Sequence, residues 1–180
     1  MTEATGLSDL QGPAGNTYDK YGTRNPVARY LVERFLRAVD EAVGELSPRS
    51  VLDAGCGEGT VTERIARRLP DASVVGLDVG DPGLLAQWGE RAGGNLTFHA
   101  GSAYSLPYAD GAFELACALE VLEHLERPAA GLDELARVSS RALVVSVPRE
   151  PLWRVLNVAS GRYVRARGNT PGHVNHWSRR

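Results

Sequence analysis

Lysine is almost missing from this chain of 180 residues, which carries it only at Lys20, and sulfur is scarce, with two cysteines and one methionine. Cys56 and Cys117 fall near different strands of what reads as one parallel sheet, so no disulfide framework is expected and a reducing compartment is the default. No apolar run approaches the length needed to cross a bilayer, and the first residues lack a basic segment followed by an apolar stretch. A soluble, cytoplasmic protein is the expectation. With 43% hydrophobic and 23% charged residues the composition excludes a disordered or fibrous class. The length suits one domain with a core of its own, and no internal repeat interrupts it.

The net charge of -2 hides an asymmetry. From Arg141 onward the chain has eight arginines and one acid, Glu150. That basic end has two readings: a surface for an anionic substrate or nucleic acid, or a solvated tail in a protein that uses Arg as its base. No platform of interleaved aromatic and basic residues supports nucleic acid, which makes that partner the weaker one.

Residues 1–17 mix Gly, Ser, Thr and Pro without apolar periodicity and read as a leader. From Pro26, Val27, Tyr30, Leu31, Phe35, Ala38, Val39 and Val43 recur at helical spacing. Five apolar segments follow, at 50–54, 73–78, 96–100, 113–119 and 142–147. Helical patterns separate several of them: Val61, Ile65, Ala66 and Leu69 form one face closed by Pro70, and further helices are predicted over 82–91 and 129–138. Strands that are apolar on both faces and alternate with helices predict an α/β fold, a Rossmann-like doubly wound parallel sheet with helices on both sides.

The first strand runs into Asp53-Ala54-Gly55-Cys56-Gly57-Glu58-Gly59, and a helix is predicted from about Thr60. Glycines there permit a tight turn and close approach of a ligand to the backbone, ahead of the unpaired N–H groups of a helix start. An acid, Asp78, closes the next strand, where its carboxylate can accept ribose hydroxyl protons. A second reading makes Asp78 the cap of the following helix, like nearby Asp81. Together these features predict a nucleoside or nucleotide site. A dinucleotide fingerprint would place its third glycine three positions after the second, where this chain has Thr60, so an NAD-linked oxidoreductase is the weakest alternative.

Val51-Leu52-Asp53-Ala54-Gly55-Cys56-Gly57-Glu58-Gly59 resembles the first motif of class I S-adenosylmethionine (SAM)-dependent methyltransferases. The resemblance continues through residues 101–114 and Val121-Leu122-Glu123-His124-Leu125, and covers about 21–147. It implies SAM as cofactor, S-adenosylhomocysteine (SAH) as product, and transfer of a methyl group by direct displacement onto a small-molecule acceptor. It further implies that Gly55, Cys56 and Gly57 lie against the methionine and ribose parts of SAM. Asp53 would steady the loop or the cofactor's ammonium, and Asp78 would hold the ribose. Val79 and Ala103 would border the adenine, with Ser102 standing where the family usually has an acid. Glu120 and Val121 would line the sulfonium side.

The catalytic candidates are His124 and His173. For His124, a general base and a histidine bonded to backbone are both open. Tyr18, Tyr21 and Arg24 resemble the flap that closes over SAM, and Tyr21 is the candidate cofactor contact among them. The alternative is that the tyrosines pack the first helix onto the sheet. His173 and His176 could serve as bases or bind a metal, but no Cys or carboxylate near them in sequence completes a ligand set, so no metal is expected.

A complete sheet in this family has seven strands, and the sequence shows five. The expected domain plan is a leader over 1–17, a core over 18–147, and a basic helix and tail over 148–180. An open edge on the fifth strand would need cover, from the tail, a second copy of the chain or a partner protein. The missing pair also leaves a second functional reading, a non-catalytic or partner-dependent SAM-binding module.

Overall fold

The computed structural model describes residues 25–150, 167–170 and 172–178. The leader, the flap residues Tyr18, Tyr21 and Arg24, and residues 151–166 of the expected basic helix and tail lie outside the described residues.

Helix α1 (Pro26–Leu46) starts where the Asn25 side chain accepts the N–H groups of Val27 and Ala28, with Pro26 in the first turn. It ends at Ser47, which turns left-handed at φ 44°. The chain then alternates: β1 (Ser50–Ala54), α2 (Thr60–Arg68), β2 (Ser73–Asp78), α3 (Pro82–Arg91), β3 (Leu96–Ala100), β4 (Phe113–Leu119), a single 3-10 turn (Leu122–His124), α4 (Pro128–Val138) and β5 (Ser139–Ser146). The five strands pair in parallel in the order β3-β2-β1-β4-β5. This is the doubly wound α/β sheet expected, and the order reverses between β1 and β4, the position where such sheets open a crevice at their carboxyl ends.

Because side chains alternate along a strand, each central strand feeds two cores. Val51, Val74, Leu115 and Cys117 pack with Val39 and Val43 of α1 and Ile65 of α2. Leu52, Val75, Leu77 and Ala116 pack on the other face with Leu135 and Val138 of α4. Both cysteines are free thiols.

The fifth strand begins three residues before the apolar run suggests, at Ser139 rather than at 142. Its polar start is paired all the same: Ser139 lies opposite Phe113, and a register shift between Phe113 and Leu115 takes up the difference. The edge strand is not apolar on two buried faces. Leu143 and Val145 are each 39% exposed, and among the described residues nothing pairs with the outer side of β5. Any of the covers expected from the sequence would lie on this edge. A two-residue pair, β6 (Arg149–Glu150) with β7 (Trp177–Ser178), forms a separate small sheet that is too short to leave a periodic signal. No helix among the described residues is long and apolar enough to cross a membrane.

The end of α2 depends on a residue from the turn between α3 and β3. The Asn95 side-chain NH2 lies within hydrogen-bond distance of the carbonyls of Ala66, Leu69 and Ala72, at 3.2, 2.9 and 2.8 Å, and its two hydrogens serve acceptors at the helix end and in the turn just beyond it. Asn95→Ala is expected to lower stability by about 1–3 kcal/mol, read as a drop in the thermal denaturation midpoint with the circular dichroism spectrum of the folded state retained.

Candidate functional site

The glycine loop leaves β1 and crosses the carboxyl edge of β2. Gly55 and Cys56 both donate their N–H to Leu77 O, at 2.7 and 3.1 Å, which folds the loop over the neighbouring strand. The positive φ values, 82° at Gly55, 53° at Gly57 and 80° at Gly59, are ones that side chains disfavour. The glycines serve different ends. A Cβ on Gly55 would lie 2.4 Å from Val121 Cγ2, and one on Gly59 would lie 2.6 Å from the Phe98 ring, whereas one on Gly57 would meet nothing within 4 Å. Gly55 and Gly59 are thus needed for packing, and Gly57 presents open backbone.

Asp78 decides the shape of the loop. Its Oδ2 accepts the N–H of Gly57 at 2.7 Å and its Oδ1 accepts the N–H of Val79 at 2.7 Å. The cap of α3 is Asp81, which accepts from Gly83 and Leu84, so Asp78 is no helix cap. Burial pushes its carboxyl above the ordinary range, opposed by the two N–H bonds. Each oxygen keeps a further lone pair for a hydroxyl donor.

Asp53 sits beneath, 2% exposed. Its Oδ2 accepts the Thr62 hydroxyl at 2.7 Å, which fixes the first turn of α2 to β1. Loss of water pushes its carboxyl up to about 6, with the charge of Asp78 adding and the Thr62 bond subtracting. The Cys56 thiol is likewise pushed up, by burial first and then by Asp53 and Asp78. Its Sγ lies 3.0 Å from where a Gly76 Cβ would be, so the side chain is turned into the sheet.

Two residues the sequence did not single out hold the loop from outside. Trp88 Nε1 donates to Gly57 O at 2.8 Å, and the indole stacks on Phe98 with centroids 5.5 Å apart. Arg91 Nε donates to Glu58 O at 2.9 Å while its Nη1 bonds Glu63 at 2.8 Å. Their spacing along helix α3 signals only a packed face; contacts that span 31 and 33 residues leave no local trace.

On the far side of the crevice, Val121 packs on Gly55 at 8% exposure. Glu120 adopts φ 62°, a left-handed conformation that a non-glycine residue holds at some cost. Its N–H donates to Ser146 Oγ at 3.0 Å, and that hydroxyl donates to Glu120 Oε1 at 3.3 Å. Ser102 accepts the N–H of Tyr104 at 3.2 Å, which occupies one acceptor position of the hydroxyl and orders the turn that contains Ala103. Val79 and Ser102 are partly buried. His124 Nδ1 lies 3.1 Å from Gly172 O, and its ring meets that of His173 edge to face at 4.9 Å. His124 is thus bonded to backbone, and His173 is brought to the same edge. His176 is exposed. Glu123, beside His124, joins the two histidines with one ligand-type atom from each within 4.8 Å, a carboxylate that the sequence reading had not placed near His173.

Residues 51–141 match a family model described as a methyltransferase domain. The chain belongs to the class I SAM-dependent methyltransferases. The cofactor of this methyltransferase is SAM. It is 31% identical over 159 residues to the demethylmenaquinone methyltransferase of Beutenbergia cavernae, covering 87% of this chain and 65% of that one. It is 29% identical over 126 residues to the ajmaline N-methyltransferase of Rauvolfia serpentina, covering 62% and 42%. Among solved structures, the magnesium protoporphyrin IX methyltransferase of Synechocystis with bound SAH superimposes with a TM-score of 0.60 at 26% identity, over 88% of this chain and 75% of that one. The chain spans 35%, 42% and 65% of the length of the first three curated relatives it matches.

A buried acid with a raised pKa weakens the fold when it ionises. The unfolded carboxyl of Asp53 titrates near 3.8 and the folded one near 6, so its contribution is intact below the first value and is lost as pH rises through the second. Asp53→Asn is therefore expected to gain stability relative to the native protein by about 2–3 kcal/mol between roughly pH 4 and 6 and to hold that gain above. Urea denaturation of both proteins across this range measures the difference.

Proposed function

We propose that this methyltransferase moves the methyl group of SAM to a small-molecule acceptor at the crevice between the loops after β1 and β4. The observation that carries the reading is the Asp78 carboxylate, partly buried at the end of β2 and already bonded at 2.7 Å to the glycine loop through Gly57 N–H. A vicinal diol can approach the remaining lone pairs of that carboxylate while the open backbone face of Gly57 accepts the atoms beside it. When bound, SAM supplies a methyl group already activated by its sulfonium, so the protein's work is to align two reactants and exclude water.

In this reading Gly55, Cys56 and Gly57 contact the cofactor through backbone, because the Cys56 side chain is turned away. Asp53 holds the start of α2 through Thr62. Val79, Ser102 and Ala103 border the adenine, and Glu120 and Val121 border the sulfonium side. His124 and His173 face the entry for the acceptor. The names of the relatives support a small molecule, since they specify demethylmenaquinone, ubiquinone biosynthesis and ajmaline.

Calorimetric titration with SAH is expected to give one site per chain. Asp78→Ala is expected to weaken it about 10- to 100-fold, the worth of charge-assisted hydrogen bonds to one carboxylate. Trp88→Phe keeps the stack on Phe98 and loses only the bond to Gly57 O, so a weakening of about 3- to 10-fold is expected. Unchanged affinity in Asp78→Ala would remove the reading. Transfer of labelled methyl from SAM to quinol and amine acceptors then tests turnover.

A further inference from the structure

The 3-10 turn after β4 and the segment 172–175 are bound together more firmly than two loops in passing contact. Val174 and Asn175 donate their N–H to Glu123 O at 2.8 and 3.2 Å. The Asn175 side chain donates to Leu122 O at 3.2 Å and to Leu125 O at 2.6 Å. These bonds place His173 over the turn by backbone geometry. There Glu123, His124 and His173 each offer one ligand-type atom, all within 4.8 Å of one another. The set grades from core to solvent: Glu123 is 1% exposed, His173 partly buried and His124 exposed.

The second observation is the backbone contact that orients His124. A carbonyl only accepts, so the contact of Nδ1 with Gly172 O at 3.1 Å puts the proton on Nδ1 and leaves the lone pair on Nε2. Imidazoles that bind metals are oriented in this way, by a backbone carbonyl on the nitrogen that does not ligate. Two imidazoles and one carboxylate form a mixed donor set of the kind that borderline divalent ions take, and calcium or magnesium would call for oxygens alone.

We propose that Glu123, His124 and His173 form a binding site for one divalent transition-metal ion of the zinc class, at the carboxyl edge of β4. Ligand atoms at about 2.0–2.2 Å from such an ion stand about 3–4 Å apart, so small side-chain adjustments from separations within 4.8 Å close the set. Three protein ligands leave the solvent side open, the arrangement of a metal that keeps a position for water or for a heteroatom of a second ligand. The site goes beyond the methyl-transfer reading and does not depend on it, because its ligands are distinct from the residues assigned to the cofactor.

Titration of the full chain, freed of metal by chelation, with Zn2+ in a calorimeter is expected to show one equivalent bound. Co2+, used as a visible probe of the same site, is expected to give ligand-field absorption that Zn2+ abolishes. His124→Ala and His173→Ala are each expected to weaken Zn2+ by about 100-fold or more, and Glu123→Gln comparably, whereas His176→Ala leaves affinity unchanged. Circular dichroism identifies any variant that fails to fold, and His124→Gln and His173→Gln, which keep size, then replace it. No binding of Zn2+, binding indifferent to both histidine variants, or binding lost in His176→Ala would overturn the site. None of these readings involves SAM, so they stand apart from a failure to bind or transfer methyl.

Discussion

A carboxylate that has given up much of its water and spent one oxygen on a glycine N–H organises this molecule. Asp78 reaches from the end of β2 to Gly57 at 2.7 Å, and through that bond the loop after β1 takes its shape before any ligand arrives. The cost is visible in the raised affinity of Asp78 and Asp53 for protons, both driven first by burial. Natural folds tolerate such groups where a partner repays them, and Gly57, Val79 and Thr62 repay part here.

Around that bond, rigidity comes from both sides of the loop. Trp88 and Arg91 of α3 hold its carbonyls, and Val121 closes on Gly55 from the strand beyond. A glycine loop is costly to order because glycine loses the most backbone freedom. Hydrogen bonds that fix its carbonyls and amides in advance leave less of that cost for the binding event.

The sequence was most legible where chemistry is local. Helix α3 spans Pro82–Arg91 as expected, since Asp81 caps it and Pro82 opens it. The glycine loop and Asp78 were legible because strand, turn, helix and acid follow one another within about thirty residues. The start of β5 was not, because Ser139, Ser140 and Arg141 are polar and join the sheet only through pairing across a register shift with β4. The approach of His173 to Glu123 and His124 was equally hidden. It rests on backbone bonds from Val174 and Asn175 to a turn some fifty residues earlier, and periodicity carries no record of such contacts. An open edge on the fifth strand was expected because the resembled family carries two further strands beside it, and Leu143 and Val145 are exposed there.

The most direct measurement of the central claim is a crystal structure of the protein with SAH. The account predicts density for the ribose with both hydroxyls on the Asp78 carboxylate, beside the open face of Gly57, with the bond from Gly57 N–H to Asp78 preserved. A ribose bound elsewhere, or a loop that breaks that bond to admit the ligand, would contradict it.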